Sequence, residues 1–275
     1  MIRFVSSDGI YASKRVPLFG FQLDAIDLDE AVRQIYQWVA TRTRQCRFVV
    51  TPNVDHAVLF QDNAALRSAY ANASLVLADG MPVVAAARIL GHALPGRVAG
   101  SDLAPALFEG AEQRGGLRLF LLGAAPGVAE RAAENIHRRW PNVEVVGTYS
   151  PPLGFEKNQH ENEIILGAIA AVRPDVLIVG FGAPKQELWV NAHREQIEAA
   201  VTLCAGATID FLAGDKKRAP LWMQRGGLEW LHRVASEPRR LFKRYARDAW
   251  IFPRLVWHEW QASRRPALRR PPHPG

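Results

Sequence analysis

Cysteine is scarce in this chain. Cys46 and Cys204 are the only two in 275 residues, and both sit in apolar runs. That excludes a disulfide framework and any zinc site built on paired cysteines, and it predicts two buried thiols in a reducing compartment. Also missing is an apolar run long enough to cross a bilayer. The opening MIRFVSSDGIYASKR lacks the hydrophobic core a signal peptide needs. The cytosol is therefore the expected location. An acidic excess is lacking too, since the net charge is +7. The segment from Arg225 to Gly275 carries twelve Arg/Lys against four Asp/Glu, so the rest of the chain is close to neutral. Such a lopsided charge bears on partners rather than on fold.

What is present is ordinary for a globular protein, with 48% hydrophobic and 22% charged residues. Strand and helix patterns alternate from Val16 to about Asp210. That alternation predicts an α/β fold, a mostly parallel Rossmann-like sheet flanked by helices, followed by a basic, Trp-rich helical appendage. The predicted divisions are an irregular segment over 1–15, an α/β domain over 16–214, the appendage over 215–262 and a disordered Pro/Arg tail over 263–275. Val16 to Leu23 reads as a first strand. Asp27 with Glu30 has the form of a capping box for an amphipathic helix. Asp27-Leu28-Asp29 also spells D-x-D, which some sugar-nucleotide enzymes use to hold a metal, but its place before a helix favours the cap. Ser101 reads as the N-cap of a further helix.

The chemistry lies where strands end. Leu75 to Ala78 stops at Asp79-Gly80, just before the apolar helix from Met81 to Leu90. CRFVVT, from Cys46 to Thr51, runs into Pro52-Asn53. LRLFLL, from Leu117, ends in a Gly123 to Gly127 turn that offers backbone N–H groups to a phosphate. DVLIVG, from Asp175, ends in Phe181-Gly182-Ala183-Pro184, with Lys185, Gln186 and Glu187 in the first turn of the next helix. Val201 to Cys204 leads to Gly206 and Asp210. In a parallel sheet these five endings share one edge, which is where such sheets bind ligands. Taken singly, each is equally an ordinary cap or turn, and Lys185 to Glu187 are then surface residues.

Beyond Gly214 the character changes. Five of the eight tryptophans (Trp222, Trp230, Trp250, Trp257 and Trp260) lie among Arg233, Arg239, Arg240, Lys243, Arg244, Arg247 and Arg254. Large aromatics mixed with basic residues suit an anionic membrane surface. The same composition serves nucleic-acid binding, which is the less favoured partner, or helices packed on the domain with their arginines solvated.

Five ordered motifs add a resemblance. Thr51-Pro-Asn53, Ala78-Asp79-Gly80, Arg97-Val-Ala-Gly-Ser-Asp102, Gly180 to Glu187 (GFGAPKQE) and Arg218-Ala-Pro followed by Glu229-Trp230 resemble the WecG/TagA/CpsF glycosyltransferases, family 26, from about Val16 to Arg244. The resemblance implies inverting transfer of a sugar from a UDP-sugar to a polyprenyl-diphosphate-linked saccharide at the cytoplasmic face of the inner membrane. Asp79 would be the general base, with Thr51 and Asn53 lining the reaction centre and Arg97 steadying phosphate or substrate. Gln186 and its neighbours would contact the nucleotide. The basic segment, with Arg233, Arg239, Arg240 and Arg244 as candidates, would close over the site at the membrane. No cofactor or metal is expected, since arginines and backbone amides suffice to stabilise departing UDP. A homo-oligomer stays open. The tail beyond Arg244 is longer than expected of the teichoic-acid members. The rival readings are a nucleotide-dependent oxidoreductase, which needs a G-x-G-x-x-G that is missing after the first strand, and a non-catalytic nucleic-acid-binding protein, which leaves Asp79 and the GFGAPKQE stretch without a role.

Overall fold

A computed structural model describes residues 14–41 and 46–264. Most of the expected irregular segment over 1–15, and all but the start of the 263–275 tail, lie outside those residues.

The expected first strand is a hairpin. Phe19 and Gly20 both take positive φ (52° and 91°), which reverses the chain, so β1 (Arg15–Leu18) pairs antiparallel with β2 (Phe21–Asp24). Asp24 Oδ2 accepts the Val76 N–H at 2.8 Å, fastening the hairpin to the edge of the main sheet. Helix α1 (Leu28–Thr41) follows, and Asp27 Oδ1 caps it by accepting the Glu30 N–H at 2.8 Å.

Six strands form the main sheet: β3 (Arg47–Val50), β4 (Leu75–Val76), β5 (Leu117–Gly123), β6 (Val143–Tyr149), β7 (Val176–Gly180) and β8 (Val201–Cys204). Their order is β4-β3-β8-β7-β5-β6 and every pairing is parallel. Alternate residues feed two separate cores. Phe48, Val50, Leu122 and Val179 face one, while Val49, Leu121, Ile178 and Leu203 face the other. Burial on both faces is why these strands read as unbroken apolar runs. Cys46 and Cys204 are both free and buried, as expected.

The connecting helices are α2 (Val54–Asp62), α3 (Ala64–Asn72), α4 (Met81–Ile89), α5 (Gly100–Glu109), α6 (Val128–Arg139), α7 (Gln159–Val172), α8 (Lys185–His193) and α9 (Thr208–Ala213). Ser101 is not the cap of α5, whose N-cap is Ala99. The helix starts two residues earlier than a Ser101 cap would set it, and Gly100 lets its end press close to the sheet. A Cβ there would lie 2.9 Å from Ala205 Cβ and 3.5 Å from Thr51 Oγ1.

The C-terminal segment forms α10 (Leu221–Arg225), α11 (Glu229–Ser236) and the long α12 (Pro238–Arg264). Helix α12 is fastened to the body. Phe252 meets Phe19 edge-on at 5.2 Å, and the Glu259 carboxylate accepts the Phe19 N–H at 2.8 and 3.1 Å. Arg247 and Arg244 reach Asp55 at 2.6 and 3.6 Å. The opposite side of this segment leaves Trp222, Trp250 and Trp257 more than half exposed. No described helix is long and apolar enough to cross a membrane.

Candidate active site

Because all six strands run parallel, their carboxyl ends lie on one edge. Over the β4, β3, β8 and β7 ends opens a cavity of about 570 Å³, roofed by α11 and α12. That size falls in the range of about 300–1,000 Å³ typical of small-molecule sites.

Backbone bonds draw the expected residues together. The Asp79 N–H donates to the Pro52 carbonyl at 2.9 Å, setting the end of β4 beside Thr51-Pro52-Asn53. The Val98 N–H donates to the Ala78 carbonyl at 2.8 Å, bringing Arg97 alongside. Asn53 caps α2, its Oδ1 accepting the His56 N–H at 3.4 Å. Thr51, Asn53, Asp79 and Arg97 therefore line one wall, and Gly182, Gln186 and Asp210 line another. Arg233 and Arg244 come from the roof.

Other expected residues lie elsewhere. Gly123 and Gly127 do not line the cavity. Gly123 is needed because Gly180 passes too close for a side chain, a Cβ there falling 2.8 Å from the Gly180 carbonyl. Gly127, at φ 81°, makes the turn into α6. Lys185 pairs with Glu156 at 3.3 Å, outside the cavity. Glu187 is not a surface residue at all but wholly buried beneath the wall. Arg239 is exposed and away from the cavity. The side chain of Arg240 lies outside the described residues.

Charge pairing separates the lining residues. Asp55 pairs with Arg244 and Arg247, Asp210 with Lys216 at 3.0 Å, Glu229 with Arg97 at 2.9 Å and Asp248 with Arg247 at 3.1 Å. Among the described residues Asp79 is the one lining carboxylate with no hydrogen bond or ion pair. Burial pushes its carboxyl up from 3.8 to about 6, against the pull of Arg97; Glu229 adds to the rise, and Arg233 and His56 oppose it. Arg233 is likewise the one lining cation with no ion pair among the described residues. Arg97 is not free in this way, because Nη2 donates to Asp102 at 2.6 Å and Nη1 to Glu229 at 2.9 Å.

Sequence reasoning passed over His56, Asp55 and Asp248 as site residues and gave Trp230 and Tyr245 to the basic appendage, yet all five line the cavity. The signal for His56 was its place three residues after Asn53, in the first turn of a helix that starts at a strand's carboxyl end. Among the described residues no group of three or more His, Cys, Asp or Glu side chains is arranged to hold a metal ion.

A parallel α/β sheet with a ligand-sized cleft at its carboxyl edge is the arrangement in which such sheets bind small-molecule ligands. Comparison with known proteins names the kind of protein. The sequence model of the Glycosyl transferase WecG/TagA/CpsF family matches residues 16–266, and the chain belongs to that family of glycosyltransferases. One relative is an N-acetylglucosaminyldiphosphoundecaprenol N-acetyl-beta-D-mannosaminyltransferase of Bacillus spizizenii. It is 34% identical over 193 residues, covering 70% of this chain and 72% of the relative. An enzyme of the same name from Staphylococcus aureus (strain MW2) is 29% identical over 227 residues, covering 82% and 87%.

Proposed function

We propose that this enzyme transfers a sugar from a UDP-sugar to a polyprenyl-diphosphate-linked saccharide, inverting the anomeric centre, with Asp79 as the general base. One observation carries the reading: among the described residues Asp79 alone of the lining carboxylates is unpaired, and its carboxyl is pushed up to about 6. At neutral pH it is mostly ionised, yet more basic than an ordinary aspartate, as a group that takes the acceptor hydroxyl's proton must be. The acceptor class follows from the relatives, whose names specify an undecaprenyl-diphosphate-linked acceptor.

The rest of the cavity fits this chemistry. Departing UDP needs positive charge and N–H donors. Arg233 supplies an uncommitted cation, and the glycine-containing ends of β7 and β8 bring backbone close to a bound nucleotide. The reaction then needs no metal. The exposed Trp222, Trp250 and Trp257, beside basic residues on α11 and α12, suit docking on the anionic inner face of a membrane, where a lipid-linked acceptor resides. The test is UDP binding by calorimetry, in competition with a panel of UDP-sugars. Saturable UDP binding displaced by one of them supports the reading, and no UDP binding contradicts it.

A further inference from the structure

From the cavity wall a chain of polar groups leads back to the buried Glu187, which the proposed reaction does not yet use. Glu187 is fully buried, and its Oε1 accepts from Gln186 Nε2 at 2.8 Å and lies 3.2 Å from His56 Nε2. Gln186 is fixed in turn, its Oε1 accepting the Gly182 N–H at 3.2 Å. On the other side of the imidazole, Nδ1 lies 2.9 Å from Asn53 Oδ1. The orientation of the Asn53 amide is set by its cap, because the oxygen must face the His56 N–H. His56 thus meets an oxygen acceptor at each ring nitrogen, and only an imidazolium donates to both. A wholly buried carboxylate beside it is also far less costly when paired with a cation.

We propose that Glu187 and His56 are positioning residues: a charged imidazole clamped between Glu187 and Asn53 holds the Asn53 oxygen inward, so that its amide N–H groups face the reacting sugar or diphosphate. The Asn53 N–H also donates to Nδ1 at 3.4 Å, the reciprocal half of the capping box, and a charged ring gives up that bond for the shorter 2.9 Å one to Asn53 Oδ1. Asn53 Nδ2 has no protein partner among the described residues, and Asn53 lines the cavity. The groups around the imidazole favour the charge. Burial is the largest single effect and opposes it, but the hydrogen bond to Glu187 and the charges of Glu187, Asp55 and Asp79 together outweigh it, so His56 is raised above its ordinary value. The Tyr70 ring sits 6.4 Å away, and Arg244 and Arg247 reach Asp55 from α12. The role given to Asn53 rests on the glycosyl-transfer reading; the clamp itself does not.

Two measurements test it. Nitrogen-15 NMR of the ligand-free, histidine-labelled protein at about pH 7.5 reads the charge of the ring directly, with His56 assigned by the signals lost in His56→Gln. Two N–H signals are expected from His56, and a neutral ring with one bare nitrogen would overturn the proposal. Acceptor-dependent turnover of Glu187→Gln, Asn53→Ala and the double variant reads the coupling. Each single variant is expected to lose roughly 10- to 100-fold in kcat, and the double variant to be no worse than Asn53→Ala alone. Losses that multiply would overturn it, whereas a purely structural role for Glu187 would add to any other defect. If the wild-type enzyme transfers no sugar, the glycosyl-transfer reading fails, and the NMR result still decides the clamp.

Discussion

Arg97 and Glu229 are 132 positions apart in the chain and joined by a 2.9 Å hydrogen bond between Nη1 and Oε2. The pair belongs to a square. Asp102 accepts from Arg97 at 2.6 Å and pairs with Arg218 at 2.6 Å, and Arg218 Nε lies 3.9 Å from Glu229 Oε1. Two cations and two carboxylates balance, and they tie the wall of the cavity to its roof. Glu229→Gln leaves the square with an excess positive charge, so the native state is expected to lose roughly 1–3 kcal/mol, read from the shift of a urea unfolding midpoint. Glu229 also raises the Asp79 carboxyl. Removing its charge should therefore move the acid limb of the activity profile to lower pH.

Asp79 itself should destabilise the fold at neutral pH. Its carboxyl rises from 3.8 in the free side chain to about 6 in the native state. Folding therefore favours the protonated form, and stability falls as pH climbs from about 4 to about 6. Asp79→Asn removes that penalty. The variant is expected to match the wild type in Tm at about pH 4 and to exceed it by roughly 6–12 °C above pH 6, the shift that the ~3 kcal/mol of a rise from 3.8 to about 6 produces in a protein of this size. Thermal scans across that range check the sign.

Arg233 and Arg239 should behave differently despite lying six residues apart. Arg233 lines the cavity without an ion pair, whereas Arg239 is exposed outside it. Arg233→Ala is expected to cost roughly 10²-fold in kcat. Arg239→Ala should stay within about twofold on a detergent-dispersed acceptor, losing only the ~1 kcal/mol a basic residue adds at an anionic membrane. With arginine in that role, turnover should persist in excess EDTA. Loss of turnover that Mg²⁺ restores would show a metal requirement.

The proposed membrane role of α10 to α12 calls for point substitutions. Truncation near Trp222 would also remove Phe252, Leu255, Val256 and Trp260, which pack on the core. Trp222 and Trp250 are 66% and 68% exposed, so replacing them with Gln disturbs little of the fold. The double variant is expected to bind anionic liposomes at least tenfold more weakly, given about 1.5–3 kcal/mol for each large apolar side chain buried, with an unchanged Tm. Equal co-sedimentation of variant and wild type would refute the assignment.

Much of this molecule was legible beforehand for a physical reason. Strands buried on both faces give unbroken apolar runs, and polar groups at their ends stand out, which is how Thr51, Asn53, Asp79 and Gln186 were found. The failures are equally physical. Phe19 turns the chain inside an apolar run, with nothing in its side chain to announce a positive φ. Gly123 resembled a phosphate turn, yet its need for hydrogen in place of a side chain comes from the neighbouring strand. Glu187 was a candidate for nucleotide contact, not for a buried partner of His56, and His56 was passed over, because polar residues in a first helical turn read as exposed. Only the packing of α8 against α2 and α3 buries them. The fastening of α12 depends on Arg247 meeting Asp55, 192 residues earlier, a distance over which no local pattern reports.

The most direct measurement is acceptor-dependent release of UDP from a UDP-sugar panel, using a short-chain polyprenyl-diphosphate-linked sugar, for the wild type and Asp79→Asn across pH 5 to 8. The predicted result is turnover with one donor and an acid limb near pH 6, set by Asp79. Asp79→Asn should fall by roughly 10²–10⁴-fold while still binding UDP. An Asp79→Asn enzyme that keeps most of its turnover, with the same acid limb, would show that Asp79 is not the base.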